Sequence, residues 1–126
     1  MQIPEHLKYT TEHEWVELIG DSTIRVGITD YAQDALGDVV FVQLPKMGGE
    51  LASHALLAEV ESTKSVAEVY APVQGIVSKV NELLTTRPEL INQDPYHEGW
   101  FCELEITDRS ALDGLLDPAA YRALTE

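Results

Sequence analysis

Short runs with apolar residues at every second position, punctuated by Gly, Pro and Asn, dominate this chain, and helical spacing is confined to small pieces. Glu14-Trp15-Val16-Glu17-Leu18-Ile19 and Thr23-Ile24-Arg25-Val26-Gly27-Ile28 flank Gly20-Asp21, which predicts a first β-hairpin. Leu56 to Glu61 and Val66 to Tyr70 read as a second pair of strands around Ser62-Thr63-Lys64-Ser65. Asp30 to Gly37 reads as a short helix with Asp30 as its cap, Gln33 as the amide of a capping box and Gly37 in the left-handed closing position. Val39 to Leu44 follows as an apolar strand expected to be buried on both faces and ended by Pro45. Gly37 to Val42 is echoed by Gly75 to Val80, each followed by a Pro-containing turn and a further strand. Two similar sheet motifs joined at the Lys64 turn make the fold mainly β, a flattened β-sandwich or barrel.

Near the end the period lengthens. Ser110 or Asp108 can cap a helix carrying Leu112, Leu115 and Leu116, and Asp117-Pro118 restarts a second through Tyr121 and Leu124, so short C-terminal helices should cover the sandwich. At 126 residues the chain can bury a core as one domain, 1–126, without disulfides or a structural metal. Its single cysteine fits a reducing compartment, and the alternation from Trp100 to Ile106 places Trp100, Cys102, Leu104 and Ile106 on one face, so Cys102 reads as a small core residue. The chain starts at Met1 with no signal region, no Arg-rich presequence and no apolar run of spanning length, which reads as a cytoplasmic protein without membrane attachment. Eight Lys and Arg against 22 Asp and Glu give a charge of -14, which repels nucleic acid and anionic lipid and favours electropositive protein partners.

Lys64 stands out because a turn between paired strands displays an ammonium on a flexible stem to solvent, where it can be modified. Lysine is exposed almost wherever it occurs, so from the turn alone a merely solvated lysine is the favoured reading. Catalytic constellations do not emerge elsewhere. His6, His13, His54 and His97 lack metal-ligand spacing, no Gly-rich loop joins a strand to a long helix, and Ser62 and Ser65 lack the elbow of acyl-transfer enzymes.

Leu7-Lys8-Tyr9, His13-Glu14-Trp15-Val16, Gly27 to Gln33, Leu36 to Val42, Val60-Glu61-Ser62-x-Lys64, Pro72-x-x-Gly75, Val80-Asn81, Asn92-x-Asp94-Pro95-Tyr96 and Gly99-Trp100 together resemble the H-protein family of the glycine cleavage system, in order, from Leu7 to Tyr121. The resemblance implies a barrel-sandwich hybrid of the lipoyl/biotinyl-carrier type and a carrier function rather than an enzyme. It implies lipoic acid in amide linkage as N6-lipoyllysine at Lys64, with loss of the lysine charge. It also implies four kinds of partner: a pyridoxal-phosphate glycine decarboxylase, an aminomethyltransferase using tetrahydrofolate, a flavin-dependent dihydrolipoamide dehydrogenase, and lipoylating enzymes. Glu61, three residues before Lys64, lies where a lipoylating enzyme could read it. Glu14 and Glu68 match the positions of a surface cleft that shelters the aminomethyl-loaded arm, where carboxylates would hold a cationic amine.

Departures from the family pattern are small. Thr63 and Ser65 stand where Val and Ala are more usual, Glu68 replaces an Asp, and His97 lies in a turn where Gly is frequent. Biotinyl carriers are disfavoured because Lys64 lacks flanking Met residues. A lipoyl-relay protein serving other acceptors and an unmodified interaction module of the same fold remain as alternatives to the glycine cleavage carrier.

Overall fold

The computed structural model describes residues 1–126, and its strands fall into two sheets with no closed barrel. The larger contains β1 (Lys8–Tyr9), β2 (Glu14–Leu18), β3 (Thr23–Ile28), β5 (Glu50–Leu51), β8 (Gly75–Val80) and β9 (Cys102–Glu105), in the spatial order β1-β2-β3-β9-β8-β5. The smaller has the order β4-β6-β7, from β4 (Val39–Gln43), β6 (Leu56–Ser62) and β7 (Val66–Tyr70). All pairs are antiparallel, and short connections require this of β1–β2, β2–β3 and β6–β7.

The inward residues of both sheets make one core. Val16, Ile24, Val26, Val77, Cys102 and Leu104 of the larger sheet share a cluster with Val39, Val42, Ala58, Val60 and Val69 of the smaller. Cys102 is fully buried there, and desolvation pushes its thiol up to about 12, so it stays protonated and inert. A second cluster, Ile3, Leu7, Tyr9, Trp15, Tyr96 and Tyr121, seals the opposite face of β2. Tyr9 and Tyr121 stack there at 4.6 Å, and Tyr9 exchanges backbone hydrogen bonds with Leu116.

The internal echo is visible in the ladders. β4 pairs with β6 and β8 with β9, and each ladder slips register two residues after the strand's preceding or initial glycine, between Val39 and Phe41 and between Val77 and Lys79. The outer face of β4 is uncovered, and Ile76 of β8 is 41% exposed as well. Val40 and Phe41 are 55% and 51% exposed, so the expectation of a strand buried on both faces fails: nothing packs on the outer side of the three-stranded sheet.

Helix signals fared similarly. Helix α1 (Asp30–Leu36) is capped by Thr29, not Asp30: the Thr29 hydroxyl accepts from the Ala32 amide at 3.2 Å and is fixed by the Tyr121 hydroxyl at 2.7 Å. Asp30 instead takes the amides of Gln2 and of the Gln33 side chain. Gly37 closes α1 with φ +80°, a conformation L-residues avoid. Two single-turn helices, α2 (Leu83–Thr86) and α3 (Leu90–Gln93), sit in the β8–β9 connection. In the tail, Asp108 caps a 3-10 turn over Arg109–Gly114 rather than an α-helix, and Asp117 caps α4 (Pro118–Thr125) with Pro118 in its first turn. Leu112 and Tyr121 are buried as expected, whereas Leu124 is exposed. Trp100 likewise leaves the expected core face, because β9 begins only at Cys102; its ring packs beneath the Arg25 guanidinium at 4.6 Å.

Candidate functional site

β6 and β7 form a hairpin whose turn is built by one hydroxyl. The Ser62 amide donates to the Ser65 carbonyl at 2.8 Å, and the Ser62 Oγ accepts from the Ser65 amide at 3.0 Å and the Lys64 amide at 3.3 Å. With those amides engaged, the tip holds its shape without buried contacts. The Thr63 amide then donates to the Asp38 carbonyl at 3.0 Å, tying the tip to the start of β4. Asn92 fixes that start: its Oδ1 accepts from the Val39 amide at 2.9 Å, and its Nδ2 donates to the Gly37 carbonyl at 2.8 Å and to Gln33 Oε1 at 3.0 Å. Asn92 thereby joins α1, α3 and β4 beneath the turn. The resemblance contained Asn92 but assigned it nothing; a lone amide following the buried pair Leu90-Ile91 was its only sequence signal.

Lys64 occupies the tip, exposed, and its ammonium makes no hydrogen bond and no ion pair. Its stem crosses Gly37, where an added Cβ would lie 3.2 Å from Lys64 Cε. An unpaired amine on a rigid mount is chemically a nucleophile offered to a partner. The largest cleft, about 400 Å³ and lined by Thr11, Glu12, Ser53, His54 and Pro72 among others, lies at the base of the hairpin, away from the lysine. No group of three or more His, Cys, Asp or Glu converges in a metal-binding arrangement.

The three carboxylates singled out from sequence lie in different surroundings. Glu61 is exposed on β6, between Phe41 of β4 and Val66 of β7 in the cross-strand register. Glu68 is exposed on β7 opposite Glu59. Glu14 is 1% exposed. Period-two spacing puts it on the same face as Val16, at the strand end, and its carboxylate accepts from the Thr10 hydroxyl at 2.7 Å and the Tyr70 amide at 3.3 Å. Tyr70 lies two residues after Glu68, so Glu14 braces the free edge of the strand that carries Glu68.

Burial holds the Glu14 pKa above the usual carboxylate range, although its two hydrogen bonds pull the other way. The folded chain therefore holds a proton that the unfolded chain has released, once pH exceeds the ordinary value of about 4.3. Stability due to this group falls as pH rises through that window. Glu14→Gln removes the titration, so the urea midpoint of the variant minus that of the native chain is expected to rise from pH 4 to pH 7. Subtraction cancels other groups, including His13, whose pKa is lowered by burial against Tyr121 and Tyr31. A difference that stays flat or falls would contradict the assignment.

The description "Glycine cleavage H-protein" belongs to the family model that matches residues 7–126. Among relatives, the glycine cleavage system H protein of Mycobacterium avium (strain 104) is 55% identical, covering 98% of each chain. That of Mycolicibacterium smegmatis is 58% identical over 98% of this chain and 96% of its own. A crystal structure of a glycine cleavage system H protein from Mycobacterium marinum superposes with a TM-score of 0.88 at 39% identity, over 96% of this chain and 97% of that one.

Proposed function

The chain belongs to the glycine cleavage H-protein family, a lipoyl carrier of glycine cleavage rather than a catalyst, and from that membership we propose that Lys64 is its lipoyl attachment residue. The observation that carries this reading is an exposed amine, free of hydrogen bonds and ion pairs, on a hairpin tip pinned through Ser62 and Asp38. Such a mount fits the group: Lys64 Nζ can become an amide nitrogen without breaking any contact of the folded chain.

When bound, the lipoyl group would supply a strained disulfide that is reduced as it takes up the one-carbon fragment with its amine, leaving a dithiol for reoxidation once the fragment has been passed on. The chain's own residues supply placement. A rigid tip with a flexible stem keeps the arm at high effective concentration once a partner has docked. The family already implies work with the other glycine cleavage components; in this proposal they are a pyridoxal-phosphate glycine decarboxylase, a tetrahydrofolate-dependent aminomethyltransferase and dihydrolipoamide dehydrogenase, with lipoylating enzymes acting beforehand. All 126 residues act as one carrier domain, and no helix is long and apolar enough to cross a membrane; cytoplasmic placement belongs to the same proposal. Glu61 is exposed where a lipoylating enzyme can read it. Glu68 offers its carboxylate to a cationic amine brought by the arm, and Glu14 belongs to that cleft as the buried brace of β7.

The test is reconstitution. Apo chain treated with lipoate, MgATP and a lipoate ligase is expected to gain the lipoyl mass on Lys64 and then to support exchange of labelled bicarbonate into glycine by the decarboxylase. Glu68→Gln should keep lipoylation and release formaldehyde faster from the loaded chain. Equal exchange by unmodified chain, or an unchanged release rate, would overturn the corresponding part of the reading.

A further inference from the structure

The outer face of the three-stranded sheet is bare and patterned. Cross-strand register places Phe41, Glu61 and Val66 in one row directly behind the Lys64 tip, and Gln43, Glu59 and Glu68 in the next. Neighbouring strands lie about 4.8 Å apart, so Phe41 and Val66 flank Glu61 at that spacing. Phe41 is 51% exposed, Val66 58%, and Val40, in the register slip beside Phe41, 55%. Singly exposed apolar residues are ordinary, but a contiguous set around a displayed reactive amine is not. Glu59, Glu61 and Glu68 form no ion pair with any cation of the chain, so this face offers apolar side chains interleaved with free negative charge.

Geometry selects the occupant. Later partners work on sulfur, several bonds beyond Nζ at the end of a mobile arm, and can act from a distance. The enzyme that acylates Nζ has no arm to use. It must bring an activated carbonyl to bonding distance of the amine, and Val66, only two residues away, is within about 7 Å along the chain. Its active-site rim must therefore cover the first row. Resting on the reading of Lys64 as the lipoylated residue, we propose that Val40, Phe41 and Val66 form the docking seat for the lipoylating enzyme, whose entrance presents an apolar rim with a basic group toward Glu61. In the acylation the amine nitrogen of Lys64 attacks the carbonyl of lipoyl adenylate, made from lipoate and ATP; the C–N bond forms, the C–O bond to AMP breaks, and the amine proton goes to solvent.

The experiment measures initial lipoylation rates against the concentration of apo chain, using lipoate, MgATP and a lipoate ligase, for the native chain, Phe41→Gln, Val66→Thr and the double variant. Leu124→Gln, on exposed α4, is the control. The expected result is a KM for the chain raised roughly five- to tenfold by each substitution, with kcat within about twofold and the control unchanged. Acetylation of Lys64 by a small soluble reagent should be equal in all chains, excluding an altered amine. Variants lipoylated to completion at high concentration should exchange bicarbonate with the decarboxylase within about twofold of native, because the arm acts beyond this row. Native KM in the double variant would overturn the seat. Equal losses with the decarboxylase would overturn the choice of occupant, as would a native homodimer that Phe41→Gln dissociates. A native chain not acylated on Lys64 would overturn the underlying reading instead.

Discussion

Lys64→Arg is expected to leave the chain folded and to abolish its lipoylation. The native side chain is exposed and touches no hydrogen-bond partner or counter-ion, so the substitution should change stability by less than about 0.5 kcal/mol. Arginine keeps the charge and about the same reach. It does not keep the chemistry, since a guanidinium stays protonated at every pH the protein survives and offers no nucleophilic lone pair. Three other lysines, Lys8, Lys46 and Lys79, are available to a non-selective acylating enzyme. None sits in a turn tied down like that of Ser62 to Ser65, and the Lys79 ammonium lies 5.9 Å above the Trp100 ring. Intact mass and peptide mapping after ligase treatment should find no lipoyl group on the variant, at an unchanged melting temperature. A lipoyl mass on Lys46 or Lys79 of comparable yield would reject the site.

Gly27→Ala should be the most damaging small substitution in the chain, at a cost of about 3 kcal/mol. In a strand, alanine for glycine ordinarily gains about 0.5–1 kcal/mol from backbone entropy. Here Gly27 stands directly opposite Trp15, and a Cβ would lie 2.5 Å from Cε2 and 2.6 Å from Cζ2 and Nε1 of the indole. That ring cannot retreat: it is fully buried, its Nε1 donates to the Pro95 carbonyl at 2.9 Å, and the Tyr96 ring lies 6.2 Å away. Overlap with a pinned ring outweighs the entropy gain. Urea denaturation should show the loss at unchanged slope, and a variant within about 0.5 kcal/mol of native would mean that the aromatic cluster yields more readily than its contacts imply.

How much was legible depended on how local the determining interaction is. The Glu14–Ile28 hairpin, the Lys64 hairpin, the closing glycine of α1 and the Asp117-Pro118 start of α4 were readable because each rests on side-chain period or turn chemistry within a few residues. The display of Lys64 was legible for the same reason, since a turn between paired strands exposes whatever it carries; its proposed carrier role came from the family resemblance and not from the turn. The cap of α1 was misassigned by one residue. Thr29 and Asp30 are both good caps, and the choice was made by the Tyr121 hydroxyl, 92 residues away in sequence, which holds Thr29 in place.

The departures in strand burial share one cause. Whether the second face of a strand is covered depends on which distant segment lies over it, and a short apolar run reads the same either way. β2 is sealed on its far side by the N-terminal residues, Tyr96 and Tyr121, which buries Trp15, while no segment crosses the outer side of β4, which leaves Val40 and Phe41 in solvent. Glu14 shows the same division: the resemblance places it in a surface cleft, whereas the fold buries it, and the arrival of Thr10 and Tyr70 makes burial of a carboxylate tolerable. The sequence by itself determined the longer strands, the hairpin turns, the acidic surface and the displayed lysine, because period, turn preference and charge act within or over the chain without reference to its path. Tertiary structure alone decided the fixing of the Lys64 turn through Asp38 and Asn92, the bracing of β7 by Glu14, and the bare apolar row beside the lysine, because each requires residues distant in sequence to meet, or to fail to meet, in space.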